Sequence, residues 1–159
     1  MKNISKIIIT PGEPAGIGYD ILLDISKKSF AAHLISIASI ELLKERRDLL
    51  KKKINFIKVN INDTDLPKIN ENDILVHDVK NTTEVKIGSP NIEHVPLILE
   101  SLDIGIKACL DNKADAIVTG PVQKSIIMKY GENFSGHTEY IAHKTESEPI
   151  MMLHTKNLK

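Results

Sequence analysis

The sequence predicts an α/β fold in which a mainly parallel sheet is covered by helices on both faces. Three observations predict it. Short β-branched apolar runs alternate with helical stretches along the chain. Two of those runs, KIIIT at 6–10 and DAIVTGP at 115–121, lead straight into turns made of glycine and proline. No repeat, low-complexity tract or long linker interrupts the alternation.

In chain order, KIIIT is a buried central strand that ends at Pro11 and Gly12. Residues 17–28, IGYDILLDISKK, follow as a helix with Ile17, Ile21, Leu22 and Ile25 on one face. Its lysines fall at the C-terminal end, where the helix dipole favours cations. HLISIAS at 33–39 is the second strand, IELLKERRDLLKK an amphipathic helix carrying Leu42, Leu43, Leu49 and Leu50, and NFIKVN the third strand. Between Asp63 and Asn91 the sequence turns polar and irregular, broken by DILVHDV at 73–79 as a strand and by IGSPN as a loop.

A helix over about 93–111 has Pro96 in its first turn, where the missing amide hydrogen is tolerated. After the strand in DAIVTGP come VQKSIIMKY as a helix, GENFSGH as a loop, TEYIAHKT as a short helix and PIMMLHT as a final strand. Only KNLK follows that apolar strand. A parallel sheet rarely leaves such an edge uncovered, so the expectation is a chain that stops in mid-domain.

Composition fits one globular unit over residues 1–159: 42% of the residues are hydrophobic, enough to bury a core. With 21 basic and 21 acidic side chains the net charge is zero, which gives no electrostatic footprint for nucleic acid or an anionic membrane. The run Lys51, Lys52 and Lys53 reads as a solvated helix end. A single cysteine, Cys109, sits in an apolar pattern as a core residue and excludes an internal disulfide, so the cytoplasm is the expected compartment. The opening apolar run is too short for a signal peptide, and no run of about 18 apolar residues suggests a membrane span.

Three segments could carry chemistry. The first is TPGEPAGIG at 10–18, in the place after a strand where ligands gather in open α/β sheets. Gly12, Gly16 and Gly18 would let the backbone approach a ligand closely, or would only solve a backbone problem in a strand-to-helix turn. The spacing is neither the dinucleotide nor the phosphate-loop fingerprint. The second is TGPVQK at 119–124, where Pro121 suits a first helical position and Lys124 in the first turn could join the amides in holding an anion. A surface lysine at a helix start is the alternative. The third is SGHTEY at 135–140: His137 and Thr138 place an imidazole beside a hydroxyl, useful for gripping a phosphorylated or hydroxylated small molecule. Thr138 would equally serve as an N-cap for a helix beginning at Glu139. His33, His77, His94, His143 and His154 make no pair at metal-ligand spacing, so the chain itself offers no metal site.

In order and spacing, ITPGEPAGIG, TGPVQK and FSGHTEY followed by MML resemble the 4-hydroxythreonine-4-phosphate dehydrogenase family of pyridoxal phosphate biosynthesis. The resemblance covers essentially the whole chain but only about the first half of a family member. It implies the three-layer α/β/α, isocitrate/isopropylmalate dehydrogenase-like fold, incomplete here, with a cleft between two subdomains completed across a homodimer. It assigns substrate binding to His137 and Thr138, and cleft lining to Lys124 and to the loop holding Gly12, Glu13, Gly16 and Gly18.

The family reaction is oxidation of a secondary alcohol by NAD followed by loss of carbon dioxide, assisted by a divalent metal such as Zn, Mg or Co. The metal's three histidine ligands, the first in a segment of the form TTHxP, would lie beyond Lys159, as would most of the NAD site. No residue of this chain is assigned to catalysis proper, and the chain is expected to be inactive alone. Tyr19, where the family usually has proline, is read as drift that touches no contact. The same motifs fit a sister dehydrogenase of threonate or erythronate 4-phosphate, and a non-catalytic split half that docks with a partner chain.

Overall fold

The computed structural model describes residues 4–155, which form five strands and five helices. In order these are β1 (Ser5–Thr10), α1 (Gly18–Ile25), β2 (Ala32–Ala38), α2 (Ile40–Leu49), β3 (Asn55–Lys58), β4 (Asp73–Asp78), a 3-10 turn (Ile92–His94), α3 (Val95–Leu110), β5 (Ala116–Thr119), α4 (Lys124–Tyr130) and α5 (His137–Thr145). The strands make one parallel sheet in the order β3-β4-β2-β1-β5.

That order fixes where a site can form. From β1 the chain winds outward through β2 to β3 and β4, then α3 carries it back to β5 on the other side of β1. Right-handed crossovers in opposite directions put α1 and α2 on one face of the sheet and α3 on the other. Consistent with this, α1 packs on α2, and α3 packs on β1, β2 and β5. The winding reverses between β1 and β5, and ligands of open α/β sheets bind outside the carboxyl ends of the strands at such a switch point.

Apolar strand residues fill the centre: Ile8, Ile35, Ile37 and Leu75 are fully buried, joined by Leu23 and Leu43 from the helices. Burying each such side chain contributes about 1.5–3 kcal/mol. A second cluster holds α4 and α5 against α3 through Val95, Ile98, Leu102, Ile127, Phe134 and Tyr140.

Five expectations are corrected. In α1 the buried face is Tyr19, Leu22 and Leu23, while Ile17 and Ile21 are 63% and 49% exposed. Both faces fit helical spacing, so periodicity alone does not choose between them. Tyr19 is therefore a core anchor rather than neutral drift, and burial pushes its phenol far above the usual range. Helix α1 ends at Ile25, before Lys27 and Lys28, so neither lysine caps its dipole. In α2, Leu49 and Leu50 are exposed and Arg46 is buried instead. The fifth concerns PIMMLHT, which forms no strand: residues 149–155 have no regular structure, and Ile150 is 92% exposed. A strand exists only through a ladder, and among the described residues the ladders run between β1, β2, β3, β4 and β5. KNLK lies outside the described residues. No helix among the described residues is long and apolar enough to cross a membrane.

Candidate functional site

All three motif segments meet at the carboxyl end of the sheet. The first two are locked backbone to backbone: the Gly120 amide donates to the Thr10 carbonyl at 2.6 Å, and the Glu13 amide donates to the Pro121 carbonyl at 3.0 Å. This crossing explains the glycines. A Cβ on Gly12 would overlap the Gly120 and Pro121 carbonyls, one on Gly18 the Pro11 carbonyl, and one on Gly120 the Thr10 and Pro11 carbonyls. Gly12 also has φ +77, a left-handed conformation that glycine adopts without strain. Of the two roles open to these glycines, the one visible here is packing against protein backbone. Gly16, half-buried, returns its amide to the Glu13 carbonyl at 2.9 Å.

The second and third segments meet through a side chain. Lys124 is the first residue of α4, and Pro121 lies three positions earlier, outside the helix rather than in its first turn. The Lys124 ammonium reaches Gly136, where a Cβ would stand 3.2 Å from Nζ. Gly136 precedes α5 and, lacking a side chain, provides no cap for the helix's leading amides. Helix α5 starts at His137, so Thr138 is its second residue and not an N-cap; the extended Gly136 occupies that position.

The His137 ring stands edge-on to the buried Phe134, 5.5 Å between centroids and 82° between planes. Burial, and after it the positive charge of Lys124, hold His137 below its ordinary pKa, so the ring is neutral at neutral pH. Its Nε2 is buried without a hydrogen-bond partner. Here a lysine charge, the open amino end of a nine-residue helix and an unpartnered ring nitrogen share one corner. Such a corner suits a small anion carrying a hydroxyl group.

Glu13 is almost fully buried. Its Oε1 accepts the Ala15 amide at 3.0 Å and lies 2.6 Å from His94 Nδ1, while Oε2 has no partner. Thr10 Oγ1 is a third buried polar atom without a partner, so all three such atoms among the described residues belong to the motif segments. Arg46 Nη1 donates to both Asp20 oxygens at 3.1 and 3.0 Å, and Nη2 donates to the Pro14 carbonyl at 2.9 Å, tying α1 and α2 to the first loop.

Sequence reasoning did not single out His94 or Arg46. Arg46 falls at i+3 and i+4 from the apolar Leu43 and Leu42, which marks the inward face of α2. For His94 the one signal was its place just before an apolar helix. Among the described residues no three His, Cys, Asp or Glu side chains gather as a metal site.

Residues 30–159 match the family model described as pyridoxal phosphate biosynthetic protein PdxA. The chain is 37% identical over 155 residues to the 4-hydroxythreonine-4-phosphate dehydrogenase of Pseudoalteromonas translucida, covering 97% of this chain and 47% of that protein. It is 36% identical over 163 residues to the enzyme of the same name from Wigglesworthia glossinidia brevipalpis, covering 100% and 48%. The chain thus spans about half the length of these relatives. The crystal structure of a 4-hydroxythreonine-4-phosphate dehydrogenase from Burkholderia phymatum superposes with a TM-score of 0.82 over 92% of this chain and 45% of that one, at 19% identity, and so shares its fold.

Proposed function

The chain belongs to the PdxA family of pyridoxal phosphate biosynthetic proteins, and we propose that it supplies the substrate-holding half of a 4-hydroxythreonine-4-phosphate dehydrogenase. In this reading the whole enzyme oxidises the secondary alcohol of 4-phosphohydroxy-L-threonine with NAD, and the resulting β-keto acid loses carbon dioxide. The whole enzyme works as a cytoplasmic homodimer. The observation that carries the reading is the corner at His137, where the unpartnered Nε2 lies beside Lys124 and the uncapped start of α5.

Each residue has a task. Lys124 and the first amides of α5 hold the phosphoryl group, by charge and by donated hydrogen bonds. The neutral His137 turns Nε2 to a substrate hydroxyl. Thr138 Oγ1, on the second residue of α5, gives or takes a further hydrogen bond. Glu13, Gly12, Gly16 and Gly18 form the wall of the cleft rather than its contacts.

A divalent metal and NAD belong to the family's reaction, but the residues present do not make either site. The described residues hold no metal-ligand cluster. The spaces over Gly12, Gly18 and Gly120, where a pyrophosphate could approach backbone, are filled by carbonyls of Pro11, Gly120 and Pro121. No step through either group is therefore assigned to these residues.

Calorimetric titration of the 159-residue chain with 4-phosphohydroxy-L-threonine, and with inorganic phosphate, tests the reading. Binding of both is expected, weakened about tenfold or more by Lys124→Ala, with His137→Ala weakening the hydroxyl-bearing substrate alone. Absence of binding, or binding indifferent to both substitutions, would overturn it. The chain alone should form no NADH with this substrate.

A further inference from the structure

We infer that Glu13 and His94 are a positioning pair that sets the Gly12–Gly18 loop against the turn leading into Lys124. The effect on ligand binding rests on the substrate-holding reading above; the effect on the loop does not. The two residues are 81 positions apart in sequence, and only 4% and 1% exposed. His94 Nδ1 and Glu13 Oε1 are in hydrogen-bond contact at 2.6 Å, and the Asn91 amide donates to the same Nδ1 at 3.3 Å.

Glu13 is a hub of short bonds. Its amide holds the Pro121 carbonyl, its carbonyl accepts the Gly16 amide, and its Oε1 accepts the Ala15 amide. His94 fastens the hub to the other layer. Its Nε2 lies 3.3 Å from the Glu84 carbonyl, which anchors the irregular segment crossing above the loop. It closes the 3-10 turn that packs on α4. The next residue, Val95, is fully buried with Ile127 of α4 and with Phe134, the ring against His137. One contact therefore joins the first loop, the start of α3 and the base of the helix that carries Lys124.

Packing alone does not explain a carboxyl group at this position. An apolar side chain would fill the space without burying Oε2 unpartnered, and such replacements are commonly neutral or stabilising. What an apolar residue cannot do is hold Ala15 and His94 at fixed distances from the turn.

Amide hydrogen exchange followed by NMR on the whole chain, with inorganic phosphate titrations in parallel, tests the pair in Glu13→Ala, Glu13→Gln and His94→Gln. In Glu13→Ala and His94→Gln the amides of Glu13, Ala15 and Gly120 should exchange about tenfold faster while those of Ile35 and Leu75 do not change. Phosphate affinity should fall about fivefold or more. Glu13→Gln, which keeps an oxygen for the Ala15 amide, a hydrogen-bonding group for His94 and the volume, should restore most of both. Tyr140→Phe, which destabilises a distant contact, should leave these three amides alone.

Exchange that does not accelerate, or that accelerates equally across β1, β2 and β4, overturns the pair. Local acceleration with unchanged phosphate affinity overturns its role in the site. If Glu13→Ala does not fold, the two glutamine variants decide by the same comparison, His94→Gln for the loss and Glu13→Gln for its restoration. If the unaltered chain binds no phosphate, the substrate-holding reading falls and the exchange pattern alone judges the pair.

Discussion

Tyr140 of α5 donates its phenol hydroxyl to Asp103 Oδ1 of α3 at 2.7 Å, and Lys144, one turn further along α5, donates to the other carboxylate oxygen at 2.9 Å. This latch adds to the apolar cluster that holds α5, and with it His137 and Thr138, against α3. Burial, then the hydrogen bond and charge of Asp103, push the Tyr140 phenol up to about 12. A value above the ordinary 10.0 means that the group's stabilising contribution is whole below pH 10.0 and is lost as pH rises through about 12. Tyr140→Phe should lower the unfolding free energy by about 1 kcal/mol at neutral pH and remove this part of the alkaline loss. Urea titrations across the alkaline range, with tyrosinate absorbance as the second probe, check it.

Gly18 and Gly88 separate two reasons for glycine. At Gly18 a Cβ would overlap the Pro11 carbonyl, which cannot move without dragging the locked loop. Gly88 has φ +77 but open space around it. Gly18→Ala should destabilise by about 3 kcal/mol or prevent folding. Gly88→Ala carries only the left-handed backbone strain, about 1 kcal/mol. Equal losses for the two in a denaturant series would show that the loop crossing is not rigid.

His137 titrates below its ordinary 6.5 because it is half-buried and faces Lys124. A depressed value means the folded protein binds the proton less readily than the unfolded chain. The neutral ring's contribution is therefore present above 6.5 and is lost as pH falls through the lower folded value. His137→Gln should flatten the stability profile in that window. Lys124→Met should move the His137 ring-proton titration upward in NMR, and no movement would mean that the lysine charge does not reach the ring.

The strands were legible as short apolar runs between helical stretches, and for β1 and β5 the glycine and proline that follow leave few other readings. The switch point was not, since it needs the strand order β3-β4-β2-β1-β5, which pairs β1 with β5 across the whole of the intervening chain. What single-chain pattern could not supply is which of two equally spaced faces a helix buries: Ile17 and Ile21 are exposed while Tyr19 and Leu23 are buried. His94 and Arg46 were illegible for a related reason. Their partners, Glu13 and Asp20, lie 81 and 26 residues away, and no local periodicity encodes pairing at that range. Of the site itself, the motif residues were named from sequence, but their convergence came from β1 and β5 being neighbours in the sheet.

Gly136 tests whether the approach of Lys124 to α5 matters. Its φ of 167 is extended backbone that any residue adopts, so substitution there brings no conformational strain. A Cβ would stand 2.8 Å from Glu139 Oε2 and 3.2 Å from Lys124 Nζ, both the ends of flexible side chains that can swing away. Gly136→Ala should thus change stability by less than about 1 kcal/mol, yet push the ammonium off the start of the helix. If that ammonium holds a phosphoryl group with the leading amides, phosphate affinity should fall by about tenfold. Tight phosphate binding by a fully folded Gly136→Ala chain would place the anion somewhere other than between Lys124 and α5.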